Sequence, residues 1–222
     1  MRDLQISERG LEMPSSPIRK LAPLAYAAED KGIRIYRLNI GQPDLPTPQK
    51  ALDSLKHIDR STLEYSPSQG FRSLRLKLVE YYSRFNIQLS PDDIIITNGG
   101  SEAVLFAFMS TLNPGDEIIV SEPAYANYMA FAVSAGAVIR TVTTTIDEGF
   151  CLPKVEKFEE LINEKTRAIL ICNPNNPTGY LYNQNEMLQI RDIVKKHNLY
   201  LFSDEVYREF IYTGSPLYQL CI

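Results

Sequence analysis

Four short segments concentrate the side chains that could do chemistry. The first is Thr97-Asn98-Gly99-Gly100-Ser101-Glu102-Ala103. Its glycines allow close backbone approach, and a helix opening there would offer free amides plus the Ser101 hydroxyl to a phosphate. The same residues also read as a plain strand-to-helix turn with Ser101 as cap. A Glu102 carboxylate would repel a phosphate, so its side chain is expected to turn away and leave only its backbone amide. The second segment is Pro123-Ala124-Tyr125-Ala126-Asn127-Tyr128. Tyr125 could lay a ring face on a planar ligand, or simply pack. The third is Asn173-Pro174-Asn175-Asn176-Pro177-Thr178-Gly179, a stiff turn full of donors and acceptors. Asn176, held rigidly, suits a single directed hydrogen bond. The fourth is Leu201-Phe202-Ser203-Asp204-Glu205-Val206-Tyr207. An ionised Asp204 at the end of an apolar strand needs a partner. A cationic heterocycle nitrogen would be one, with the Tyr207 phenol beside it as a donor. Capping of the next helix is the alternative.

Each segment needs an element to hold it. Short apolar runs at Ile94–Thr97, Glu117–Ser121, Val138–Thr143, Ala168–Cys172 and Leu199–Ser203 read as strands. Helical patterns fall between them at Ser101–Leu112, Ala124–Ser134, Val155–Glu164 and Asn185–His197. Further helices are predicted from Ser16-Pro17 to Gly32 and over Phe71–Phe85. Gly41 to Pro48, with three prolines, must be a rigid loop. Helices alternating with buried strands predict an α/β fold with a parallel sheet covered on both faces. In such sheets ligands sit outside the carboxyl ends of the strands, where all four segments fall. Residues 1–47 read as an arm and the start of a small domain, and 48–222 as part of a large ligand-binding domain.

The net charge of -4 argues against nucleic acid or an anionic membrane as a partner. Three dispersed cysteines, Cys151, Cys172 and Cys221, have no metal-ligand or disulfide-framework spacing and suit a reducing cytoplasm. The most apolar helical stretch, Ala103–Leu112, is far short of the roughly 18 residues of a membrane span.

In order and spacing, the four segments resemble the class I aminotransferases of the aspartate-aminotransferase fold type. The likeness runs from about Ile35 to Phe210. Asn173–Gly179 is similar to the family's NPxNPTG turn, and Asp204–Tyr207 to its DExY element. The resemblance implies a three-layer α/β/α large domain, incomplete at its C-terminus, that binds pyridoxal 5'-phosphate. It implies that Asp204 pairs with the pyridinium nitrogen and that Asn176 and Tyr207 bond the phenolic oxygen. Tyr125 would stack on the ring, and Gly100, Ser101 and Glu102 would hold the phosphate. Gly41, and again Asn176, would meet the substrate. Tyr65 would reach the phosphate of a neighbouring subunit, which implies a homodimer with shared sites. The substrates would be an amino acid and a 2-oxo acid, with aspartate among the open choices.

The resemblance also exposes a departure. The family's Schiff-base lysine lies in a Ser-x-Ser-Lys-like segment beyond the DExY element, and these residues contain none. Lys165, Lys195 and Lys196 read as solvated surface charges. No catalytic residue of the family is therefore identified here, and the polypeptide alone is expected to lack useful transaminase activity. An exposed sheet edge inviting self-association is expected too. The apolar tail Pro216–Ile222 departs from what the resemblance leads one to expect there. Two other readings stand beside aminotransfer. One is a different reaction on this scaffold, a carbon–sulfur β-lyase or an aminocyclopropane-carboxylate synthase. The other is a non-catalytic fragment that binds a partner or ligand.

Overall fold

The computed structural model describes residues 4–59 and 61–220. It contains two compact units, one joining the stretch that ends at Pro14 to the stretch that begins at Thr97, the other comprising Ser15–Ile96. The chain opens with a short helix α1 (Glu8–Glu12), capped where Ser7 Oγ accepts from the Gly10 amide at 3.1 Å.

The Ser15–Ile96 unit carries helices α2 (Ala22–Glu29), α3 (Gln49–Lys56) and α4 (Arg72–Ser83). The near-buried Arg75 of α4 donates through Nη1 to the Pro91 carbonyl at 2.7 Å, which ties the helix to the turn at 91–93. Ile94–Thr97, expected as a strand, forms no ladder. Its backbone bonds are a contact from the Ile96 amide to the Gln69 carbonyl at 3.0 Å and local turn bonds at either end, Ile94 to Pro91 and Gly99 to Thr97. The apolar run reflects packing of Ile94, which is buried, while Ile95 is 62% exposed. Periodicity alone does not separate these cases in so short a run.

The other unit holds the sheet. In chain order it contains α5 (Gly99–Thr111), β1 (Glu117–Glu122), α6 (Asn127–Ala135), β2 (Val138–Thr143), α7 (Val155–Glu159), β3 (Thr166–Cys172), α8 (Gln184–His197) and β4 (Tyr200–Asp204). All neighbouring strands are parallel, in the order β2-β1-β3-β4. Alternate residues of the strands go to opposite faces. Ile119, Ile169 and Ile171 pack with Phe158 of α7 and with Met187, Ile190, Ile193 and Val194 of α8. Ile118, Val120, Ala168 and Leu170 pack with Phe108 of α5 and with Tyr128 and Ala132 of α6. This gives three layers, and it explains why β3 is apolar along nearly its whole length.

The winding follows from handedness. From β1 the chain crosses through α6 to β2 on one side. It then returns through α7 past β1 to β3, and through α8 to β4. Right-handed crossovers in opposite directions put their helices on opposite faces. That is why α6 lies on one face and α7 and α8 on the other. The reversal leaves a crevice at the carboxyl ends of β1 and β3.

The amino ends of the strands are closed by charge pairing. Glu117 is 4% exposed and accepts from Arg140 Nη2 at 2.6 Å and Asn163 Nδ2 at 2.8 Å. The bond from Arg140 holds its carboxyl below the usual carboxylate range, against the opposing effect of burial. A carboxyl depressed in the fold contributes stability above its unfolded value and loses it as pH falls towards the folded value. Glu117→Gln should therefore unfold more easily at neutral pH and lose less further stability on acidification. Urea midpoints from about pH 6 to 3 would check this; an unchanged slope on the acid side would refute it.

Candidate functional site

A cavity of about 160 Å³ lies in the crevice, lined by Gly100, Ser101, Tyr125, Asn176, Asp204 and Tyr207. These are six of the residues singled out from sequence. Tyr128, Cys172, Val104, Phe131 and Val206 complete its walls.

The first wall is the start of α5. Gly99 takes a left-handed conformation (φ +78°), which glycine adopts without cost and which turns the chain into the helix. A Cβ added at Gly100 would meet nothing within 4 Å, and Gly100 lines the cavity. The first-turn amides have no partner inside the helix and carry the positive end of its dipole. Glu102 turns back as expected. Its carboxylate accepts from the Asn98 backbone amide at 2.7 Å and is outside the cavity lining.

The second wall is aromatic. Tyr125 lies just before α6, and its hydroxyl accepts from Asn127 Nδ2 at 2.7 Å. Its ring meets Tyr128 edge-to-face, with centroids 5.4 Å apart.

The third wall shows how the asparagine-rich turn divides its labour. Asn173 is fully buried, and its Oδ1 accepts from the Tyr182 amide at 3.1 Å. Asn175 Oδ1 accepts from both the amide and the hydroxyl of Thr178, at 3.2 and 3.0 Å. Both are consumed in building the turn. Asn176 is left to the cavity, where its Nδ2 lies 3.4 Å from Tyr207 Oη.

The fourth wall carries the charge. Asp204 ends β4, and its Oδ2 accepts from Tyr128 Oη at 2.6 Å while Oδ1 accepts from the Val206 amide at 3.1 Å. Among the described residues no cationic side chain pairs with it. Burial, then the neighbouring Cys172 and Asp204, pushes the Tyr128 phenol far above its ordinary range. Burial and Asp204 likewise push the Cys172 thiol up. Tyr128 was not picked out from sequence, although it lies three residues after Tyr125 in the same segment.

Gly41 and Tyr65 belong to the Ser15–Ile96 unit and do not line this cavity. Gly41 has open space around its α-carbon, and Tyr65 is fully exposed.

An anion-favouring helix start, a pinned aromatic ring, a pair of neutral donors and an unpaired carboxylate converge at the switch point of a doubly wound sheet. This defines a site for a planar ligand with an anionic arm and a cationic ring atom. The profile of the aminotransferase class I and II family matches residues 33–221, and the chain belongs to that family. The match includes most of the tail from Pro216, correcting the reading that the tail departs from the pattern. Aspartate aminotransferase of Thermotoga maritima is 35% identical over 210 residues, covering 94% of this chain and 55% of the relative. Aspartate aminotransferase of Pyrococcus horikoshii is 36% identical over 217 residues, covering 97% and 54%. The solved alanine aminotransferase of Pyrococcus furiosus superposes with a TM-score of 0.90 at 32% identity, covering 96% of this chain and 55% of that one. The chain spans about half the length of the relatives it matches. Aminotransferases of this class use pyridoxal phosphate, and the four walls fit its phosphate, ring, phenolic oxygen and ring nitrogen.

The division among the asparagines is testable by stability alone. Asn173→Ala strips the buried Tyr182 amide of its acceptor and should cost about 1–3 kcal/mol. Asn176→Ala removes only a long bond at the cavity and should change stability by less than about 0.5 kcal/mol. Denaturant unfolding of the two variants would show the contrast, and equal losses would contradict it.

Proposed function

We propose that the cavity binds pyridoxal 5'-phosphate and belongs to an aminotransferase that moves an amino group between an amino acid and a 2-oxo acid. The observation that carries this reading is Asp204, a carboxylate facing the cavity with no cationic side chain paired to it among the described residues. A protonated pyridine nitrogen would supply that cation. When bound, the cofactor provides an electron sink for the bond-breaking step. The residues of this chain orient it. Asp204 holds the proton on the ring nitrogen. Asn176 and Tyr207 bond the phenolic oxygen, and Tyr125 covers a ring face. Amides of Gly100, Ser101 and Glu102, with the Ser101 hydroxyl, hold the phosphate.

Gly41 is proposed to meet the substrate carboxylate, and Tyr65 to serve the phosphate of a second copy in a homodimer. Its complete exposure suits a group that acts on another chain. Aspartate is the proposed amino donor, in keeping with the names of the relatives. A cytoplasmic setting is proposed from the free thiols Cys151 and Cys172. No helix among the described residues is long and apolar enough to cross a membrane.

Among the described residues no lysine lines the cavity. Cofactor bound by these 222 residues alone should therefore be held by noncovalent contacts. Titration of the purified chain with pyridoxal 5'-phosphate, followed by tyrosine fluorescence, should saturate. Asp204→Asn should weaken binding by about tenfold or more, as loss of a charged hydrogen-bonded pair does. Borohydride should leave no cofactor fixed at the cavity, and aspartate with a 2-oxo acid should give no steady turnover. Absence of saturable binding would sink the site assignment. Stoichiometric borohydride labelling at the cavity would sink the noncovalent reading.

A further inference from the structure

A stiff turn fixes its own shape but not its place above the sheet. The turn that carries Asn176 is joined to β1 by a buried pair of hydroxyls: Tyr182 Oη lies 3.0 Å from Ser121 Oγ, across 61 residues of sequence. Tyr182 is 2% exposed and Ser121 6%, and neither lines the cavity. We infer that Tyr182 is a positioning residue for Asn176: through Ser121 it fixes the asparagine turn over the crevice, and so places the Asn176 amide against the ligand's phenolic oxygen. The inference rests on the cofactor reading of the cavity.

Three observations carry it. First, the turn is a closed loop whose limbs are tied to each other. The Tyr182 amide donates to Asn173 Oδ1 at 3.1 Å, and the Asn175 amide donates to the Tyr180 carbonyl at 2.8 Å. Asn176 sits inside that loop and moves with its limbs. Second, the limbs are anchored to different strands. The incoming limb is held where the Asn173 amide donates to the Asp204 carbonyl of β4 at 2.9 Å. The outgoing limb is held by Tyr182 at Ser121, one residue before the carboxyl end of β1. β3, from which the turn leaves, lies between those two strands. A single anchor would let the loop rock about the end of β3, whereas anchors on opposite sides fix its tilt. Third, packing does not require the hydroxyl. The Tyr182 ring lies among Ile119, Ile171 and Met187 and meets Tyr180 edge-to-face, with centroids 5.5 Å apart. A phenylalanine ring would fill the same space. A buried phenol needs a hydrogen-bond partner to offset its desolvation, and in this pair either hydroxyl can donate. What the bond adds to the apolar contacts is direction, which hydrophobic burial lacks.

The role predicts dependence on the phenolic oxygen and not merely on the fold. Tyr182→Phe keeps the ring and removes the bond from one side. Ser121→Ala removes it from the other, and guards against a folding failure peculiar to the first variant. Two probes are titrated into the purified chain: pyridoxal 5'-phosphate, and its 3-deoxy analogue in which hydrogen replaces the phenolic hydroxyl. Wild type should prefer the hydroxylated ligand, and Asn176→Ala should reduce that preference. Tyr182→Phe and Ser121→Ala should each lose about three- to tenfold in affinity for pyridoxal 5'-phosphate, the scale of one neutral hydrogen bond. Each should lose less than about twofold for the 3-deoxy analogue, which gives Asn176 nothing to bond. Combined with Asn176→Ala, either should weaken pyridoxal 5'-phosphate binding by less than about a further twofold, because residues that act through one contact are not additive. Equal losses for both probes, a complete loss of binding in both variants included, would make the hydroxyl pair purely structural and overturn the inference. So would unchanged affinities, or losses that add to that of Asn176→Ala. If wild type binds neither probe, the cofactor reading itself fails. If wild type binds both but Asn176→Ala leaves the preference intact, the site stands and the role of Asn176 at the phenolic oxygen fails. The inference fails in either case.

Discussion

The reversal of winding between β1 and β3 is the constraint on which the rest of the molecule depends. Because crossovers are right-handed, the connection through α6 and those through α7 and α8 must lie on opposite faces. No crossover helix then covers the gap between the two strand ends. The segments after β1, β3 and β4 and the start of α5 all open into it. The site is a consequence of topology before it is a matter of residue choice. The sheet beneath keeps it rigid, since Ile118, Ile119, Ile169 and Leu170 are essentially inaccessible. A packed core of this kind holds strand ends in place while the loops above vary.

Given that crevice, the sequence solves an electrostatic problem. A carboxylate at a strand end is costly when half-buried without partners. Asp204 is stabilised by two neutral donors, Tyr128 Oη and the Val206 amide, and by no cationic side chain among the described residues. The contrast with Glu117 at the other end of the sheet is instructive. Glu117 is paired with Arg140 and Asn163, and its charge is spent on holding β1 to its surroundings. Neutral donors hold a carboxylate in place without satisfying its charge. That difference in partners separates a structural acid from one left free to take a ligand, the role proposed for Asp204.

Much of this was legible in the residues, and the parts that were not have identifiable reasons. The four cavity segments were found because unusual composition, such as two prolines and three asparagines in seven residues, needs a cause beyond linking. The order of strands and helices was legible because buried parallel strands read as apolar runs between amphipathic helices. Ile94–Thr97 misled because a run of isoleucines meets the same criterion without a ladder partner. α3 was missed because its helical pattern at Gln49–Lys56 directly follows a proline-rich loop and buries no residue. Which asparagine of the turn faces outward was inferred from rigidity, but the fates of Asn173 and Asn175 depend on partners nine and three residues away. Tyr128 escaped notice because its hydrogen bond to Asp204 spans 76 residues, which no local pattern encodes.

The cavity also reads direction. Its α5 wall presents first-turn residues and the positive end of a helix dipole, and its β4 wall presents a carboxylate with no cationic side chain paired to it among the described residues. A ligand with an anionic arm and a cationic ring atom gains at both walls in one orientation and loses at both in the other. The scale of the discrimination follows from Coulomb's law: two unit charges about 4 Å apart interact by about 4 kcal/mol at an effective dielectric near 20. Reversal exchanges attraction for repulsion, so a bound ring is oriented by far more than thermal energy before any hydrogen bond is counted. In the role proposed for them, Asn176 and Tyr207 would need only to distinguish positions around a ring whose direction is already set, which suits neutral donors better than charged ones. The Glu102 carboxylate, which would blur the polarity if it faced the cavity, is instead folded back onto Asn98.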